Sequence, residues 1–164
     1  MRTVLWLALW ATPAWASQVH PHEVELAELV QGSELIVVAE PVGEPKIQRQ
    51  TFKSKAGKKV PPYEFQTRRW KITSILKAPA KPMPTITVRP AHTATMLRLH
   101  LKYYEEGISK SPILDHYSPK TPIPEGPRIL FLRSSDRHFE LVASGAMESL
   151  EQKEVVLDML RKEK

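Results

Sequence analysis

The sequence predicts a small, mainly β domain built on a five-stranded barrel, and three observations carry this prediction. Fifteen prolines against six glycines argue against a helical bundle, because proline lacks an amide hydrogen and blocks helix interiors. Apolar and polar residues alternate in several short segments, which is the pattern of half-buried strands. The chain has no cysteine, so packing alone must stabilise the core, without disulfides or cysteine-ligated metals.

The N-terminal segment has the order of a secretory signal peptide. In residues 1–16, one basic residue precedes a short apolar run, and small residues stand three and one positions before the expected cleavage site. We therefore expect cleavage between Ala16 and Ser17, leaving one soluble, periplasmic or secreted domain over 17–164. The apolar run is shorter than the roughly 20 residues that a membrane span needs, and no later segment approaches that length.

The first predicted elements are a short helix and a buried strand. Pro21 suits the first turn of a helix and Gly32 suits its end, with apolar residues between them at spacings of three and four. The run over 35–39 is continuously apolar and β-branched, and Pro41 closes it. This run predicts a strand that is buried on both faces.

A long second strand is predicted over 63–76. Its alternation changes phase near Thr67 or Arg68, which indicates a β-bulge that bends the strand around a small barrel. A short third strand is predicted over 86–88, between two prolines that limit its length.

The C-terminal part predicts a hairpin and a helix. The apolar runs over 129–132 and 139–142 flank the polar turn 134–137 and read as the fourth and fifth strands. Ser149 followed three residues later by Gln152 has the spacing of a capping box and predicts the start of a helix that docks on the barrel.

A long connection over 91–127 separates the third and fourth strands. It exceeds the usual loop length and must carry structure of its own. The pattern over 93–104 favours a helix, although its alternating leucines also fit a strand. The part over 111–127 contains five prolines and predicts a loop without regular structure.

Three segments together resemble a known fold family. The segments over 28–39, 70–78 and 124–132 are similar to those of exported bacterial proteins with a netrin-like or tissue-inhibitor-of-metalloproteinase-like OB-fold. The resemblance extends over about 23–142 and implies a small OB-like barrel. The animal inhibitors of this family use an N-terminal cysteine and disulfides, which are missing here, so the resemblance does not imply protease inhibition.

The first inter-strand loop is the main candidate for ligand binding. No acidic residue occurs over 45–63, and in an OB-type barrel this loop is a position used to bind nucleic acids and sugars. The alternative, which charge runs of this kind favour, is a solvated hairpin that keeps the protein soluble. Lys46 and Arg49 begin the basic segment, and the candidate ligand-binding residues are Lys53, Lys55, Lys58, Lys59, Tyr63, Arg68 and Arg69.

The histidines provide the remaining candidates. His20 and His22 could bind a transition metal as neutral imidazoles, but a disordered terminal pair is the interpretation that their position favours. An alternative enzyme site could be assembled from histidines and carboxylates of the long connection, although no zincin-type spacing occurs. Its members would be His92, His100, His116, Glu105 and Glu106.

These observations favour an exported, non-enzymatic binding module without a cofactor. Its expected partner is an anionic envelope glycan or a protein, because export keeps the domain away from cellular nucleic acid. Two alternatives remain: a hydrolytic or metal-dependent enzyme, and a structural subunit of an envelope assembly. The sequence leaves the oligomeric state open.

Overall fold

The computed structural model describes residues 20–55, 57–80, 82–110, 112–135 and 138–163. The expected signal peptide over 1–16 and its cleavage site lie outside these residues. The described part is mainly β and contains eight strands, three α-helices and a short 3-10 turn. The elements are β1 (His20–Glu23), α1 (Leu26–Gly32), β2 (Leu35–Gln50), β3 (Tyr63–Lys77), β4 (Thr85–Arg89), α2 (Thr93–Glu106), β5 (Ile113–His116), β6 (Arg128–Ser135), β7 (His138–Leu141), β8 (Met147–Glu148), the 3-10 turn (Leu150–Gln152) and α3 (Lys153–Lys162).

The main sheet has six strands in the order β2-β3-β4-β7-β6-β8, so the predicted count of five strands is wrong. The additional strand is β8, a two-residue strand that pairs with β6. Its shortness explains why no sequence pattern reveals it. Strand β2 also pairs with β6, so the pairings β2-β3-β4-β7-β6 lead back to β2.

The core lies where β2 and β6 meet. Every residue over 35–39 is buried, as the continuous apolar run predicts, and every residue over 129–132 is also buried. The two segments pair antiparallel, with Val37 opposite Leu130. Trp70, Ile86, Val88 and Leu141 join the same core, and the half-buried Ile72 packs against it.

Strand β2 continues well past the predicted end at Pro41. Its pairing with β6 ends at Ala39, so beyond that point β2 keeps only β3 as a partner. The missing amide hydrogen of Pro41 is tolerated there because one side of the strand is open. The predicted bulge is present, but the extra residues belong to β2: three residues over 43–45 stand opposite Arg68.

The N-terminal elements differ from the prediction at two points. Helix α1 is present and ends at Gly32 as predicted, but Pro21 lies in β1 rather than in the first helical turn. Strand β1 pairs parallel with β5, which lies in the proline-rich segment predicted to lack regular structure. The pairing joins two segments far apart in sequence, and neither segment shows it alone.

The C-terminal helix is present, but its start differs from the prediction. Ser149 precedes the 3-10 turn and makes no side-chain capping hydrogen bond, so the predicted capping box with Gln152 is wrong. Helix α3 starts at Lys153, and its buried face includes Val156. It packs against α1. The helix predicted in the long connection is confirmed as α2.

Candidate functional site

Strands β2 and β3 extend beyond the core as a two-stranded ribbon. From Lys46 to Gln50 the outer part of β2 is exposed and pairs with β3 as far as Tyr63. The loop over 51–62, here called the tip, closes this ribbon. The tip carries the predicted lysines, and Lys53, Lys55, Lys58 and Lys59 are all exposed.

The tip packs against the C-terminal half of α2 through a cluster of aromatic rings around His100. The imidazole lies 5.3 Å from the ring of Phe52, 5.3 Å from Tyr63 and 4.9 Å from Tyr104, measured between centroids. Its Nε2 atom donates a hydrogen bond of 2.8 Å to the carbonyl oxygen of Pro61. His100 therefore attaches both ends of the tip to one helix.

Glu105, five residues further along α2, makes a second attachment. Its Oε1 atom accepts a hydrogen bond of 2.9 Å from the backbone amide of Lys55. Its carbonyl oxygen accepts one of 2.6 Å from Nζ of Lys58. The tip is therefore held on the helix by side chains that the sequence analysis had assigned only to an alternative enzyme site.

The ring of Tyr63 is half-buried rather than a free stacking surface. It contacts His100 and also Phe65, whose centroid lies 6.4 Å away. Burial raises the pKa of its phenol. The exposed aromatic surface beside the tip comes instead from Tyr103 and Tyr104, which are 45% and 38% exposed.

The two remaining predicted residues, Arg68 and Arg69, lie away from the tip. Arg68 is five residues beyond Tyr63 on β3, a distance of about 17 Å at the rise of an extended strand. The Arg68 guanidinium lies 5.6 Å from the ring centroid of Trp70. Arg69 is exposed, and as the next residue along the strand it faces the other way. The structure thus divides the predicted set into two groups.

A third arginine that the sequence analysis missed joins Arg68. The guanidinium of Arg128 lies 5.5 Å from the ring centroid of Trp70. It comes from the start of β6, far from Arg68 in sequence. No local signal in the chain indicates this proximity, because it depends on the pairing of β2 with both β3 and β6.

The histidines of the alternative enzyme site have separate partners. His92 is buried in a left-handed conformation, and its Nε2 atom lies 3.0 Å from the carbonyl oxygen of Asp115. His116 Nε2 lies 3.1 Å from the hydroxyl of Ser118. Across the described ranges, no three histidine or carboxylate side chains form a group suited to a metal ion.

The N-terminal histidine pair is only partly described. His22 Nδ1 lies 3.3 Å from a carboxylate oxygen of Asp115, because β1 and β5 place these two residues side by side. For His20 the structure describes the backbone, which lies in β1, and not the side chain.

A buried hydrogen-bonded pair, Tyr117 and Glu148, lies at a pocket of about 330 Å³ beside α1 and α3. Glu148 is 1% exposed, and one carboxylate oxygen accepts a hydrogen bond from the hydroxyl of Tyr117. The other oxygen accepts one of 3.1 Å from the backbone amide of Ser149. Burial, followed by the hydrogen bond and the charge of Glu148, raises the pKa of Tyr117.

Comparison with known proteins adds no relative to this description. No protein-family model matches the chain, and a search of curated proteins finds no significant match. Within the part of the chain that the structure covers, none of the helices has the length and apolar character needed to cross a bilayer.

Proposed function

We propose that this protein is an exported, non-enzymatic binding module that holds a polyanionic ligand, such as an acidic glycan of the cell envelope, at the tip. The observation that carries the proposal is the attachment of the basic tip to α2. Exposed lysines stand on a loop that His100 and Glu105 hold in place. A purely solvated hairpin would not require these contacts.

The charge of the tip supports an anionic ligand. Two carboxylates at the tip and ribbon are already engaged: Glu105 contacts the tip backbone, and Glu64 lies 2.5 Å from the guanidinium of Arg49. Lys53, Lys55 and Lys59 are exposed, and none of the three forms an ion pair with a carboxylate of the described residues. Clustered charges of one sign attract polyanions and accelerate their association.

The fixed shape of the tip also supports binding. Ordering a flexible loop on a ligand costs conformational free energy, about 1–2 kcal/mol for each backbone residue that becomes fixed. The aromatic cluster and Glu105 order the tip when the protein folds, so less conformational free energy is lost when a ligand binds. Tyr104, whose ring lies 4.9 Å from that of His100, and Tyr103 beside it provide exposed ring faces on the helix that holds the tip, and sugars and bases stack on such faces.

The scaffold of the proposed module is an OB-like barrel. The sequence resemblance implies it, and the strand pairings that return from β6 to β2 support it. The proposed export depends on cleavage between Ala16 and Ser17. Intact-mass measurement of the protein recovered from the periplasm or culture medium tests it, and a retained leader would contradict it.

The binding proposal is tested by removing the three available lysines together, as Lys53→Ser, Lys55→Ser and Lys59→Ser. Lys58 is left in place because its ammonium group holds the tip to α2. The control removes three exposed lysines from other surfaces, Lys71, Lys120 and Lys162, so both variants lose the same net charge.

Both variants are titrated with a heparin-like glycan and with single-stranded DNA over a range of salt concentrations. Each lost contact lowers the slope of log K against log salt by about 0.7–0.9 for nucleic acids. The tip variant should therefore lose about 2–3 units of slope towards DNA, and the control should lose less than one. Equal slopes for the two variants would show that only net charge matters and would refute binding at the tip.

The glycan titration tests the class of ligand. A module for acidic glycans should retain measurable affinity for the heparin-like ligand near 150 mM salt, where the Debye length is about 8 Å. Affinity for DNA should by then be much weaker. If the affinities for the two polymers fall equally as salt increases, the binding is nonspecific charge attraction and the glycan proposal is contradicted.

A further inference from the structure

A pair of guanidinium groups, those of Arg68 and Arg128, lies at the indole of Trp70. The strand pairing explains why these three side chains meet. Paired residues on neighbouring strands direct their side chains to the same face of a sheet. Arg128 pairs with Ala39 and Trp70 pairs with Pro41, two residues further along β2. Arg68 lies two residues before Trp70 on β3 and therefore shares its face.

The hydrogen bonds of this arginine pair are few and long. Nη2 of Arg68 lies 3.5 Å from the carbonyl oxygen of Gly43. Arg128 lies 3.4 Å from the carbonyl oxygens of Gly126 and Pro124, through Nε and Nη2 respectively. Hydrogen bonds from N–H donors usually span 2.7–3.2 Å. A guanidinium has five N–H donors, so most donors of the pair have no acceptor in the part of the chain that the structure describes.

One of these donors is buried. Nε of Arg68 is buried and has no hydrogen-bond partner among the described residues. Within the same residues, neither guanidinium forms an ion pair with a carboxylate. A buried donor without an acceptor is unfavourable, and an anion bound at the two guanidinium groups would supply that acceptor.

The two charges also act on each other. Burial and then the positive charge of Arg68 lower the pKa of Arg128, and only Glu125 opposes this effect. Each guanidinium carbon lies within 5.6 Å of the Trp70 ring centroid, and two like charges beside one ring are unfavourable unless an anion compensates them. The outer nitrogens of both groups contact carbonyl oxygens at exposed positions, so an anion from solvent can reach them.

We propose that Arg68 and Arg128 form a binding site for a phosphate group, separate from the tip. Guanidinium groups bind phosphate and carboxylate through paired N–H donors. Phosphate fits this site better than carboxylate, because its tetrahedral oxygens can face two guanidinium groups that come from different strands. Its double charge also matches the two arginines.

The test is a titration of the full chain with inorganic phosphate, followed by NMR of the arginine Nε–H groups and of the Trp70 indole N–H at constant ionic strength. Assignment uses Arg68→Lys, Arg128→Lys and Trp70→Phe. We expect saturable shifts for the two arginines and the indole. Each lysine substitution should weaken phosphate binding by ~10-fold or more, because it removes the planar donor pair.

Arg69→Lys is the matched control, because Arg69 is adjacent in sequence, carries the same charge and faces the opposite side of β3. Arg69→Lys should bind phosphate with an affinity within about twofold of that of the parent protein. An equal loss in the Arg69 variant, shifts of equal size with acetate or chloride, or no saturable shift in the parent would each overturn the proposal. The parent titration remains decisive if a variant fails to fold.

This site and the proposed function can fail separately. The variant that lacks Lys53, Lys55 and Lys59 should keep the phosphate-dependent shifts at Trp70 while losing polymer binding. If those three substitutions abolish the shifts as well, the two sites are not separate and this proposal fails. If they leave polymer binding unchanged and the shifts persist, only the tip proposal fails.

Discussion

Replacing Tyr117 by phenylalanine removes the only side-chain hydroxyl that contacts the buried Glu148 carboxylate within the described structure. Glu148 is 1% exposed and Tyr117 is 5% exposed, so water has little access to the oxygen that loses its donor. Hydrogen bonds to charged groups contribute about 1.5–3 kcal/mol. We therefore expect Tyr117→Phe to lower the free energy of unfolding at pH 7 by about 1.5–3 kcal/mol.

The pH dependence gives this prediction a second, independent readout. Burial and then Glu148 raise the pKa of Tyr117 above its ordinary value near 10. Between the unfolded and folded pKa values, the folded protein keeps a proton that the unfolded chain loses. The stabilisation is complete below pH ~10 and declines at higher pH, by at most ~1.4 kcal/mol per pH unit. The phenylalanine variant lacks this decline. The difference in unfolding free energy between the parent protein and the variant should therefore narrow above pH ~10.

Urea unfolding at several pH values from 7 to 11 measures both effects, with the free energy obtained by linear extrapolation. Tyr103→Phe is the control, because Tyr103 is 45% exposed and should change stability by less than about 0.5 kcal/mol. If Tyr117→Phe lowers the free energy of unfolding at pH 7 by less than about 0.5 kcal/mol, the reasoning is refuted. If the difference between the two proteins stays constant up to pH 11, the raised pKa of Tyr117 is refuted as a cause.

Three further substitutions test the core, a backbone turn and the tip. Leu130→Ala should cost about 2–5 kcal/mol in urea unfolding, since the side chain is fully buried; a cost below 1 kcal/mol would contradict its place in the core. Gly145→Ala should destabilise by more than about 1 kcal/mol, because Gly145 has a φ of +78° and an added Cβ would lie 2.4 Å from a backbone carbonyl oxygen. Gly32→Ala, where a Cβ meets nothing within 4 Å, should be neutral or stabilising, and equal effects at the two glycines would argue against the described turn. His100→Ala should speed amide hydrogen exchange over 51–62 and leave exchange in the core unchanged; unaltered exchange in the tip would show that His100 does not hold it.

Much of the fold follows from patterns that are local in sequence. The apolar run over 35–39 predicts a buried strand, and the alternation over 63–76 predicts a long strand that bends near Arg68. Both strands are present, because a strand between two packed faces is buried at every residue, as over 35–39, and a strand with one packed face is buried at every second residue, as along most of β3. The same locality explains a failure. Strand β8, with only two residues, is too short to show a period.

The candidate site was only partly predictable for a related reason. Composition and charge locate the lysines of the tip, because a run without acidic residues is visible in any linear reading. The same reading grouped Arg68 with those lysines because it lies a few residues away. In an extended strand each residue lies about 3.3 Å beyond the one before it. The structure therefore separates Arg68 from the tip lysines.

The sequence by itself determined that the chain is mainly β, which runs form its core and that its basic charge concentrates between β2 and β3. Only the tertiary structure decided which distant residues meet: Arg128 with Arg68 at Trp70, His100 and Glu105 with the tip, and Tyr117 with Glu148. Burial and periodicity are properties of a single segment. Strand pairing and register depend on two segments at once, and one amino-acid sequence contains no local record of that choice.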